Sequence, residues 1–179
     1  MKKHVALLSL LLASLLLAGC ESMSPTECKV ADWGRVGHAD GTRGESERRI
    51  ADYTEDCGKV GVVPNAQLYR YGWDQGIVNF CTPANGWREG LQGNSGKASV
   101  CQGQSGYPGF ARYLDAGLQV HNTQAQMQRN ARESERLQRR LEESKSDEEK
   151  KNLRNDLRHI DREQFRLRNQ LTQQQMFAP

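Results

Sequence analysis

The chain has 179 residues, 36% hydrophobic and 26% charged, with 25 basic and 22 acidic side chains and a formal net charge of +3. That length fits one domain of ordinary size with a modest core. Two of the lysines, Lys2 and Lys3, stand at the very start; without them 23 basic residues face 22 acidic ones, a net of +1, and no nucleic-acid partner is expected.

Lys2, Lys3 and His4 form a short basic head, and Val5 to Leu17 is apolar apart from Ser9 and Ser14. A basic head, an apolar run of roughly 7–15 residues and small residues after it describe a secretory signal. The run falls short of the roughly 20 residues that span a bilayer as a helix. Its ending, Leu17-Ala18-Gly19-Cys20, is similar to the lipobox of bacterial lipoproteins, where the cysteine sulfur carries diacylglycerol and becomes the new N-terminus. The resemblance implies a signal peptide over 1–19, a lipid on Cys20 and a partner in the membrane itself. Stable anchoring takes two chains, which a diacylglyceryl group provides. Glu21, where aspartate would stand otherwise, resembles lipoproteins sent on to the outer membrane, facing the periplasm. Residues 20–27 are polar with a proline and read as a tether.

With Cys20 assigned to lipid, Cys28, Cys57, Cys81 and Cys101 remain. Four thiols in an oxidising compartment form two disulfides, with three connectivities open. A metal site is the rival, but spacings of 29, 24 and 20 contain no close Cys-x-x-Cys pair. No metal and no cofactor is expected. Pairing of neighbours, Cys28–Cys57 and Cys81–Cys101, is preferred because each bond then links a helix to the loop that follows it.

Every glycine beyond Gly19 lies between Gly34 and Gly117, and ten of the twelve aromatics lie between Trp33 and Tyr113. This marks a Cys/Gly/aromatic module over 28–118. Placing Gly41, Gly76 and Gly117 in register brings Gly37 over Gly72 and lines up Trp33, Leu68 and Gly109. Asp40, Asp74 and Asp115 each fall one or two places before the last glycine. Glycines four apart on a helix leave a flat strip where another backbone approaches closely. Each interior glycine costs about 0.5–1 kcal/mol against alanine, so two per turn need a packing reason. Trp33, Tyr69 and Trp73 would lie over those strips. Between the helices, Gly58 to Pro64 and Thr82 to Gly109 read as turn-rich connections. The run ending Gly93-Asn94-Ser95-Gly96-Lys97 lacks P-loop spacing.

Cys28, Asp32-Trp33-Gly34, Asp40-Gly41, Cys57, Val63-Pro64, Gly72-Trp73, Phe80-Cys81-Thr82-Pro83, Asn85-Gly86 and Val100-Cys101 together resemble an uncharacterised lipoprotein family of Gram-negative bacteria, catalogued as a domain of unknown function. The likeness covers roughly residues 26–118 and implies an envelope lipoprotein. It carries over no activity and no catalytic residue.

No catalytic constellation stands out. His38 and Asp40 are two apart and would point to different faces of a helix, while His121 and His159 lie on the tail, residues 119–179. Leu114, Leu118, Leu137 and Leu141 keep four-residue spacings, and Leu153, Leu157, Ile160, Gln164, Leu167 and Leu171 step 4-3-4-3-4. That is a coiled-coil seam with one polar core position. Ser146 and Glu149 have the form of a capping box. Two helices, roughly 109–144 and 147–175, would fold back on each other, or one continuous helix would project. Arg154, Arg158, Arg162 and Arg166 form a stripe read as a solvated face. The expected fold is therefore mainly α: a small disulfide-stabilised, Gly/aromatic-rich helical module followed by a long helix or antiparallel hairpin. The expected function is a non-catalytic binding or scaffolding lipoprotein, contacting a protein partner or a second copy through the tail. A periplasmic enzyme on cell-wall or lipid substrates is the alternative.

Overall fold

A computed structural model describes residues 21–179; the expected signal peptide over 1–19 and the expected lipid site, Cys20, lie outside the described residues. The described chain is mainly helical and has no strand. Five short helices build the module: α1 (Pro25–Val30), α2 (Trp33–Thr42), α3 (Ile50–Gly58), α4 (Ala66–Phe80) and α5 (Pro83–Leu91). Two long ones follow, α6 (Tyr107–Glu143) and α7 (Asp147–Gln175).

Most starts are set by a side chain that accepts from the backbone three residues on. Asp32 accepts from Arg35, Asn65 from Leu68 and Thr82 from Asn85. Ser24 and Glu27 form a complete capping box on α1. At α7 the box is only half made. Ser146 accepts from the Glu149 N–H, but the Glu149 carboxylate turns to the Ser144 hydroxyl and to Arg140.

The glycine strips are used as contact surfaces. A Cβ on Gly37 or Gly41 of α2 would collide with the Tyr69 or Trp73 carbonyl of α4, and one on Gly72 or Gly76 of α4 with the Gly34 or His38 carbonyl of α2. Contact positions rise together along both helices, so α2 and α4 run parallel, with α3 as the return. The same arrangement recurs: Gly86 and Gly90 of α5 lie against the Phe110 and Leu114 carbonyls of α6, and Gly117 against that of Trp87. In this second pair a 3-10 segment, Ser95–Cys101, makes the return.

The structure therefore corrects the reading of Thr82 to Gly109 as a loop. Pro83 at the first helical turn, Thr82 as its cap and the approach of α6 to Gly86 and Gly90 make its first third helical. It also revises the register. Gly76 and Gly117 are equivalent, but Gly41 belongs to the partner helix and corresponds to Gly90.

Each pair carries one disulfide, Cys28–Cys57 and Cys81–Cys101. Each joins a residue ahead of the pair's first helix to one ahead of its second. The module is thus a tandem of two disulfide-tied parallel helix pairs. Phe80 and Phe110 stack with centroids 5.5 Å apart at their junction, and the Lys97 ammonium donates to the Gly44 carbonyl at 2.7 Å. The core is continuous, from Trp33, Tyr53 and Tyr69 through Ile77 and Phe80 to Phe110 and Leu114.

α6 passes from the module into the tail without a break. Its 37 residues reach about 55 Å at 1.5 Å each. α7 folds back antiparallel along it: the Gln164 amide donates to the Met127 carbonyl at 2.9 Å and the Thr123 hydroxyl to Gln174 at 2.8 Å. Among the described residues no helix is long and apolar enough to cross a membrane.

Candidate functional site

Asp40 is wholly buried on α2. A carboxylate in such a place needs paired donors, and three elements supply them. Tyr53 of α3 and Tyr69 of α4 both donate their hydroxyls to Oδ2 at 2.9 Å, and Arg43 donates to Oδ1 at 2.5 Å. The Arg49 guanidinium donates to the Tyr53 oxygen at 3.0 Å and stands 3.9 Å from Oδ2. Burial, then the bond to Asp40, pushes the Tyr69 hydroxyl far above its ordinary range and raises that of Tyr53 in the same way. Both therefore stay protonated donors. Wholly buried and with both oxygens engaged, the carboxylate clamps α2, α3 and α4 together. Glu89, the equivalent residue of the second pair, is also buried and accepts from the Asn94 amide at 2.8 Å.

The other carboxylates of the glycine register do not join Asp40. Asp74 is exposed near Arg70, and Asp115 is exposed and accepts from Gln119. His38 and His159 are exposed; His121 sits 3.0 Å from the Leu91 carbonyl, its ring over Gly93. No cluster of three or more His, Cys, Asp or Glu residues able to hold a metal occurs among the described residues. Cys28, Cys57, Cys81 and Cys101 are all buried in the two disulfides. Tyr53 and Arg49 were not singled out in the sequence. Their signal was weak, since a tyrosine 13 residues from its acid has no local spacing to betray it.

The tail presents a different surface. Leu137 of α6 and Leu153 and Leu167 of α7 are buried between the two helices, while Leu157, Ile160, Gln164 and Leu171 are only half covered. An open groove of about 340 Å³ runs along this side, lined by Met127, Ala131, Ser134, Ile160 and Gln164. Of the buried polar atoms, Gln164 Oε1 beside this groove and Asn130 Nδ2 have no hydrogen-bond partner. Arg154, Arg158, Arg162 and Arg166 are all exposed, Arg166 being paired with Glu163.

The molecule is thus a disulfide-tied helical module of duplicated parallel pairs bearing an antiparallel helical hairpin. Residues 32–119, nearly the whole module, match the family model described as a protein of unknown function (DUF2799), so a domain of that family covers them. No curated protein and no solved structure matches the chain.

Proposed function

We propose that this is a lipid-anchored envelope lipoprotein of the outer membrane, facing the periplasm, with a non-catalytic binding or scaffolding role exercised through its tail. The observation that carries the reading is the half-covered seam. A two-helix hairpin has no third layer, so Leu157, Ile160 and Leu171 keep part of their apolar surface in water. Burying such a side chain is worth about 1.5–3 kcal/mol. A further helix or a second hairpin laid in the groove would bury Ile160 and lie against Gln164. A polar residue at such a core position favours one register over its slips.

Substituting Leu157→Ser and Ile160→Ser in the full chain should abolish crosslinks to a partner or a second copy, with both disulfides retained. Unchanged crosslinks after that double substitution would refute the tail as the contact. Cys20→Ser should release the protein to the soluble fraction or block its processing; normal processing and continued membrane residence would overturn the anchor.

A further inference from the structure

We infer that the end of the module where α2 and α4 begin is seated directly on the lipid surface, with Val30 and Val63 entering the headgroup–acyl boundary. The inference rests on the reading of Cys20 as the lipid-bearing residue.

The chain leaves no slack behind the anchor. Ser22 is already fastened: its N–H and its hydroxyl both donate to Asp56 Oδ2 at 2.7 Å. Met23 Sδ lies 3.9 Å from Cys57 Sγ, and the Cys28–Cys57 disulfide ties α1 to the end of α3. Only Glu21 separates Cys20 from that fastening, and two residues of extended chain reach at most about 7 Å. A sulfur held at the glycerol level therefore brings this end of the module to the interface.

Two valines stand bare at that end. Gly34 and Leu68 lie side by side near the starts of the parallel helices α2 and α4. Val30 precedes the first and Val63 the second by four and five residues, and they are 79% and 83% exposed. Leu68, on the first turn of α4, is 52% exposed. Exposed valines at one end, Val30 closing α1 and Val63 in the connection from α3 to α4, are well suited to an apolar boundary. Charge does not drive the contact. Lys29, Arg35 and Lys59 are outnumbered here by Glu21, Glu27, Asp32, Glu55 and Asp56. The seating is therefore apolar, enforced by the anchor through a very high local concentration, and needs no anionic lipid.

The test uses the processed, lipidated chain in phosphatidylcholine vesicles, with a nitroxide at Val30→Cys, Val63→Cys or, on the tail, Arg158→Cys. Mass spectrometry establishes the acyl groups on Cys20, and peptide mapping the two native disulfides. On vesicles the labels at 30 and 63 should gain collisions with oxygen and lose them with a water-soluble nickel chelate; the label at 158 should keep its solution values. Labels at 30 and 63 that meet nickel as freely as the one at 158, on a chain whose Cys20 is acylated, would overturn the seating alone. A Cys20 found without acyl groups would overturn the anchor reading, and the seating with it.

Discussion

Gly72 accepts no side chain, because a Cβ there would overlap the Gly34 carbonyl and approach the His38 N–H. Gly72→Ala should push α2 and α4 apart and cost about 1–3 kcal/mol, the usual size of overpacking. Gly58, the last residue of α3, meets nothing within 4 Å, so Gly58→Ala should be neutral or stabilise by up to about 1 kcal/mol. Thermal melting of the two variants side by side checks this, and equal melting would mean the strip is slack. Asp40 is the other sensitive position. Asp40→Ala would strand two buried tyrosine hydroxyls and should cost about 3 kcal/mol or more. Tyr53→Phe, which removes one hydrogen bond to a charged group, should cost about 1.5–3 kcal/mol by denaturant melting.

Asp56 adds a pH dependence to the same scale. Its hydrogen bond from Lys59, then those from the Ser22 hydroxyl and N–H, hold its carboxyl down to about 2 from an ordinary 3.8. Lys59 keeps its share of this whether or not Ser22 is docked, so only the part due to the two Ser22 bonds favours the docked state while Asp56 is ionised. That contribution fades as pH falls through about 2. Amide hydrogen exchange at Ser22 should therefore quicken between pH 4 and 2 relative to the Asp56→Asn variant, once the intrinsic pH dependence is divided out. A constant ratio across that window would show that Ser22 is held by something else.

At the scale of elements, the disulfides and the glycine strips stabilise the same units by different means. Cys81–Cys101 closes a 20-residue separation and Cys28–Cys57 one of 29. On the chain-entropy account each is worth roughly 3–4 kcal/mol. Because each bond lies within one parallel pair, replacing Cys81 and Cys101 by serine should loosen α5 and the start of α6 while α2 and α4 keep their protection. Site-resolved hydrogen exchange distinguishes this from uniform loosening, which would mean the two pairs are not separate units. The helical character of α5 was hidden in the sequence: four glycines and two asparagines from Thr82 to Gly96 match a loop. Two of those glycines are contact positions, and only the approach of α6 reveals it. α7, by contrast, was legible from Ser146 to Gln175, since a local cap and a regular apolar step need no distant partner to be read.

On the scale of the whole molecule, the described chain joins a stiff, crosslinked module to a slender hairpin whose seam is incompletely closed. Composition alone separated the two, by the confinement of glycine, cysteine and most aromatics to residues before 118. It also led to a mainly helical fold with two disulfides, because spacing, capping residues and cysteine count are local or additive properties of the chain. Tertiary structure decided the rest. It made the glycine strips pair α2 with α4 and α5 with α6 in parallel, turned an apparent loop into a helix, and chose a hairpin over a continuous rod. It also made Asp40 a buried clamp with Tyr53 and Tyr69 while leaving Asp74 and Asp115 in water. Those choices depend on which backbones come close enough for a missing side chain to matter. Close approach between residues 24 to 38 positions apart is a property of the packed molecule that spacing along the chain does not carry.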